Sequence, residues 1–173
     1  MFRIYLTNLG KYNEGELVGK WVDLPCDDFT AELAKIGVSN EPDKYGRYYE
    51  EYFITDYESD VYGLRVGEYD NLEELNALAE AIEENEAAAA VLVEHGYTTA
   101  DEIREHIDYV TYICEAGFNS DYELGYYYAT EYGYLNDIPE YLQDYFDFEA
   151  FGRNIRLEGK FTEIDGSIYE LCA

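Results

Sequence analysis

The chain has 173 residues, 39 Asp and Glu against 11 Lys and Arg, and a formal net charge of -28. That charge excludes most nucleic-acid binders, which need a basic footprint, and attachment to anionic membranes, which attract Lys and Arg. It favours partners that are themselves basic, and at 47% hydrophobic and 17% aromatic residues the chain has the apolar material to fold, unlike acidic disordered chains.

In chain order, Phe2, Ile4 and Leu6 alternate as a strand does, and Gly10 to Gly15 reads as a turn-rich loop. A second strand is expected at Trp21–Leu24, a helix at Phe29–Ile36 headed by Asp27 and Asp28, and a third strand at Tyr52–Thr55. Leu72, Leu75, Leu78, Ala79 and Ile82 share one face of a helix over Leu72–Glu84, with Asp70 or Asn71 as its cap. Ala87–Glu94 continues helical to a stop at Gly96, and Thr99 with Glu102 spells a capping box for the next helix. Tyr109–Cys114 predicts a strand, Asp121–Tyr132 and 137–151 predict helices, and Lys160–Ile164 with Ser167–Leu171 predicts a hairpin turned by Asp165-Gly166. The expected fold is α+β, with three small units in a row. These are a sheet-plus-helix segment at 1–61, a helical segment at 62–103 and an α+β segment at 104–173. The 21 Tyr, each burying a ring while its hydroxyl stays hydrated or bonded, suit thin cores and a slender molecule.

The acids are unevenly placed. Residues 1–65 hold 13 acids and 7 bases, residues 66–152 hold 22 acids and one base (Arg104), and residues 153–173 hold 4 acids and 3 bases. Glu73, Glu80 and Glu84 fall opposite the apolar face of the 72–84 helix. Over 137–147, Ile138, Tyr141, Leu142 and Tyr145 are expected to form an inner face, with Glu140, Asp144 and Asp147 outside. Like charges at such spacings destabilise an isolated helix by roughly 0.2–0.5 kcal/mol per pair, so a role other than helix stability is expected to select them. Glu102 and Glu105 extend the same negative surface. Duplex DNA carries one charge per ~1.7 Å of axis, so a chain of this charge corresponds to about 48 Å of duplex.

Specific chemistry finds little support. With 39 acids, carboxylate pairs of glycosidase type arise everywhere by chance. Asp56-Tyr-Glu58-Ser-Asp60 lacks the glycine of a calcium loop. His95 and His106, without nearby Cys, make no zinc site. No GxSxG or phosphate-binding loop occurs, and Cys114 reads as core. No catalytic residue, metal or cofactor is expected. Cys26, Cys114 and Cys172 are widely spaced without a CxxC, and the N-terminus has no signal-peptide core, so a reduced, cytoplasmic chain is expected. Ala87–Val93 is too short to span a bilayer. On charge alone, a DNA-like surface stands beside a general acidic module or chaperone for basic proteins.

Three runs carry a resemblance. Tyr5–Trp21 (YLTNLGKYNEGELVGKW), Glu50–Tyr57 (EEYFITDY) and Pro139–Arg153 (PEYLQDYFDFEAFGR) together resemble, in order, the ArdA antirestriction family. The resemblance implies an elongated, curved, three-domain protein that forms a homodimer through its C-terminal domain. It also implies inhibition of Type I restriction–modification enzymes, whose methyltransferase core holds DNA in a basic cleft, by an acidic mimic of double-stranded DNA. The family's antirestriction motif would fall at Tyr126–Asn136, comprising Tyr126, Tyr127, Tyr128, Glu131, Tyr132, Leu135 and Asn136. Glu131 is the single acid there, which leaves a packing or dimer-interface role beside one based on charge.

Overall fold

β1 (Phe2–Asn8) runs down the middle of an antiparallel three-stranded sheet, between β2 (Gly19–Leu24) and β3 (Tyr52–Ser59). The computed structural model describes residues 1–115, 118, 120–159 and 161–172; the side chain of Cys114, read above as core, and Lys160, read as the start of the hairpin, lie outside the described residues. Among those described, eight helices accompany two three-stranded antiparallel sheets, the mixed architecture expected. The residues cluster into two units, Met1–Ile107 and Asp108–Ala173, so the segments 1–61 and 62–103 lie together in the first.

In the first unit Phe2, Ile4 and Leu6 are buried as their alternation predicts. The register then shifts between Tyr5 and Leu6 opposite β3, where Thr55 is the extra residue of a bulge, and Thr7 and Asn8 are buried as well. The expected loop at Gly10–Gly15 is instead partly helical: α1 spans Leu9–Asn13. Its cause is Asn8, whose Oδ1 accepts the Lys11 N–H at 2.9 Å while its Nδ2 donates to the Ile36 carbonyl at 3.1 Å. Asp28 caps α2 (Phe29–Lys35), accepting the Ala31 N–H at 2.9 Å. α3 (Leu72–Glu84) buries its predicted leucine face, and Asn71 rather than Asp70 caps it, accepting from Glu73 and Glu74 N–H. α4 (Glu86–Glu94) is buried without a break from Ala88 to Val93, as a helix apolar on every side must be. α5 (Ala100–His106) opens with the predicted Thr99/Glu102 box.

The second unit begins with a 3-10 turn and β4 (Val110–Glu115), which pairs with β6 (Ser167–Leu171); β6 in turn pairs with β5 (Phe161–Ile164). Asp165 and Gly166 take φ of 49° and 78°, the positive pair that a two-residue hairpin turn requires. α6 (Asp121–Glu131) crosses α8 (Phe148–Glu158) at Gly125 and Gly152, and Arg156 donates to Asp121 at 2.8 Å across the pair. The amphipathic helix expected through 137–147 is not continuous. α7 covers only Glu140–Gln143, and Asp147 starts α8 afresh by accepting the Ala150 N–H. Of the predicted inner face, Tyr141, Leu142 and Tyr145 are exposed and Ile138 is half-buried. Phe146, Phe148 and Phe151 cluster in their place, with Phe146 ring centroids 5.0 and 5.3 Å from the other two. Gln143 Nε2 holds the turn by donating to the Leu135 and Ile138 carbonyls.

Candidate interaction surface

The charge asymmetry of the sequence becomes an asymmetry of pairing. In the first 65 residues, Arg3 holds Glu58, Lys11 holds Glu16, Lys20 and Lys35 hold Glu32, and Arg47 holds Glu14 and Asp43. The two lysines keep the Glu32 carboxyl below its ordinary range, Lys20 most strongly. Farther along, Glu73, Glu74, Glu83, Asp101 and Glu105 are exposed and form no ion pair among the described residues.

Glu73, Glu80 and Glu84 are exposed on α3 as predicted, but they are not equivalent. Arg104 reaches across from α5, with its guanidinium 3.1 Å from Glu84 and 3.6 Å from Glu80. The single base of the acidic stretch therefore offsets two of the three predicted acids, though exposed pairs contribute only about 0–1 kcal/mol each. Conversely, Asp27 and Asp28 line one open cleft with Glu73, Asn76 and Glu80, where the Cys26 N–H donates to Asn76 Oδ1 at 2.5 Å. That extension of the acidic face joins residues about fifty positions apart, and no local spacing rule would reveal it.

Glu102 has a structural duty. Its Oε2 accepts the Thr98 and Thr99 N–H at 3.0 and 3.1 Å, and these two bonds, Thr98 first, hold its carboxyl below the ordinary 4.5. Because the folded value is the lower one, its contribution to stability is complete above 4.5 and is lost as pH falls from there through the folded value. Glu102→Gln keeps a box partner without a proton to gain. The stability difference between wild type and this variant, read from urea midpoints, should hold steady at neutral pH and change progressively below pH 4.5. A difference constant across that range overturns the assignment.

In the second unit Glu140, Asp144 and Asp147 are all exposed, and Asp147 doubles as the cap of α8. The segment Tyr126–Asn136 is the end of α6 and the turn beyond it, closed by Gly133 at φ 71°. Tyr126 is half-exposed, nearly parallel to Tyr122 and edge-on to Phe148. Tyr127 donates its hydroxyl to the Ile113 carbonyl at 3.3 Å. Tyr128 is buried, parallel to Tyr132 at 4.9 Å and edge-on to Phe161. Burial, and then the charge of Glu170, pushes the Tyr132 hydroxyl up. Leu135 is half-buried, and Glu131 and Asn136 are exposed. The segment thus ties helix, sheet and turn together mainly through rings.

No group of three or more His, Cys, Asp or Glu among the described residues could hold a metal ion, and no helix in them is long and apolar enough to cross a membrane. The sequence model of the family described as antirestriction protein (ArdA) matches residues 4–170. The chain belongs to the ArdA antirestriction family. No curated protein matches it. The resemblance carried by Tyr5–Trp21, Glu50–Tyr57 and Pro139–Arg153 therefore extends over nearly the whole chain, and antirestriction is the activity the family implies.

Proposed function

We propose that this ArdA protein is a mimic of double-stranded DNA that occupies the basic DNA cleft of a Type I restriction–modification methyltransferase core. The observation that carries the proposal is the scarcity of internal partners on α3–α5: the bases of the first 65 residues hold Glu14, Glu16, Glu32, Asp43 and Glu58, whereas on α3–α5 only Glu80 and Glu84 meet a base, Arg104, and the other exposed acids there meet none. Carboxylates left without internal partners are available to the lysines and arginines of a DNA channel, and occupying it expels DNA by competition, without catalysis. In this reading the protein acts in the cytoplasm as a homodimer, whose two-fold symmetry presents equivalent faces to its target, and the three segments 1–61, 62–103 and 104–173 share the task.

The test is displacement of labelled duplex from a Type I methyltransferase by the full chain. Displacement should be complete at excess protein and should weaken steeply with salt, because each phosphate-like contact releases ions and contributes roughly 0.9 to the logarithmic salt slope. DNA that stays bound at excess protein sinks the reading. Equal binding to histones and to the methyltransferase would instead favour a general acidic chaperone.

A further inference from the structure

The charges of this chain oppose its own folding. Met1–Ile107 holds 25 acids against 8 bases, and Asp108–Ala173 holds 14 against 3. Charge this far from zero works against a compact state through self-repulsion. Two helix ends add a local conflict. α4 closes on Glu94 and α6 on Glu131; both carboxylates are exposed, neither last turn contains a base, and neither acid forms an ion pair among the described residues. The free carbonyls at a helix C-terminus carry partial negative charge, so a carboxylate there is repelled where a lysine or arginine would be attracted. Other helices of the chain follow that rule: α2 ends on Lys35, and α8 carries Arg156 in its last turn. At the opposite end of α4, exposed Glu86 lies in the first turn, against the positive pole.

We infer that the fold depends on counter-ions: dissolved salt stabilises it by screening carboxylates that the chain's own bases do not neutralise, with Glu94 and Glu131 among the charges that limit stability. Salt then acts in opposite directions on two properties of the molecule. It strengthens the fold, whereas under mimicry it weakens the hold on a DNA channel. Carboxylates that wait for the cations of a partner weigh on the free chain, and the counter-ions of the solution relieve that load until a partner does. The acids at the two ends of α4 separate the local effect from the overall one, because removing either lowers the net charge equally while only Glu94 stands at the negative pole.

The experiment is urea unfolding of the full chain at one fixed protein concentration and at about pH 8, above the range in which histidine ordinarily titrates. Raising NaCl from about 20 to about 500 mM shortens the screening length from roughly 20 Å to about 4 Å. The wild-type midpoint should rise with salt at constant slope. Glutamine is about as good a helix former as glutamate, so Glu94→Gln and Glu131→Gln remove charge with little other change. Each should lower the unfolding equilibrium constant by roughly two- to fivefold at low salt, with most of that gain gone at high salt. Glu86→Gln, at the other pole of α4, should gain less than Glu94→Gln or lose stability. A wild-type midpoint that stays flat or falls with salt overturns the inference. So does a gain at Glu94 and Glu131 that is absent at low salt or undiminished at high salt, and so does a Glu86 variant stabilised as much as the Glu94 one. Displacement of DNA plays no part in these readings, so they stand or fall apart from mimicry.

Discussion

Replacing Gly125 or Gly152 with alanine should destabilise the second unit by about 3 kcal/mol, the upper end of the usual overpacking cost. A Cβ on Gly125 would collide with the Phe148 carbonyl and stand 2.7 Å from the Gly152 amide nitrogen. A Cβ on Gly152 would collide with the Asp121 carbonyl and stand 2.7 Å from the Gly125 amide nitrogen. These obstacles are backbone, so no rotamer change relieves them; α6 and α8 must separate. Separation loosens the buried Leu124, Tyr128 and Ala129 and strains the Arg156–Asp121 bond. The competing effect has the opposite sign, since alanine is the better helix former by about 1 kcal/mol. Were the crossing loose, both substitutions would stabilise. The sign of the shift in urea midpoint at constant slope therefore decides the matter, and a raised midpoint in either variant would refute the close crossing. Loss of antirestriction should follow loss of folding here, without any change of charge.

Such a crossing is not legible in the sequence, and the reason separates what was readable from what was not. Signals that act within one turn or one strand were sufficient: the Phe2–Leu6 alternation, the leucine face of α3, the Thr99/Glu102 box and the Asp165-Gly166 turn all appear in the structure. Features that depend on a distant partner were not. Asn8 caps α1 through the nearby Lys11 N–H, but its side chain is anchored for that by the Ile36 carbonyl, 28 positions away. The run 137–147 has helical periodicity, yet Asp147 caps a new helix and the half-buried Phe146, Phe148 and Phe151 pack on one another, leaving Tyr141 and Tyr145 outside. The same division holds for the site. Sequence placed Glu73, Glu80 and Glu84 on one exposed face, but only the packing of α5 on α3 revealed that Arg104 offsets two of them, and only the fold set Asp27 and Asp28 beside Glu73.

That unequal status gives the charge-removal series its content. Under mimicry, Glu73→Gln should weaken displacement of duplex by roughly two- to fivefold, the scale of one exposed charge pair. Glu140→Gln, Asp144→Asn and Asp147→Asn together should weaken it by about ten- to a hundredfold if their effects add, and should lower the logarithmic salt slope by up to roughly 2.7. Asn at position 147 preserves the helix cap, because Asn and Asp cap about equally well, so the triple variant loses charge without losing α8. Arg104→Gln should act in the opposite direction. Removing that one positive charge takes the formal net charge from -28 to -29 and releases Glu80 and Glu84, so the variant should bind the methyltransferase more tightly at low salt while folding slightly less stably. A catalytic or single-site mechanism predicts none of this: one carboxylate would abolish activity and the rest would be silent. A distributed electrostatic surface must instead respond in proportion to charge and in both directions, and an Arg104 variant that inhibits less well than wild type despite normal folding would rule that out for the α3–α5 face.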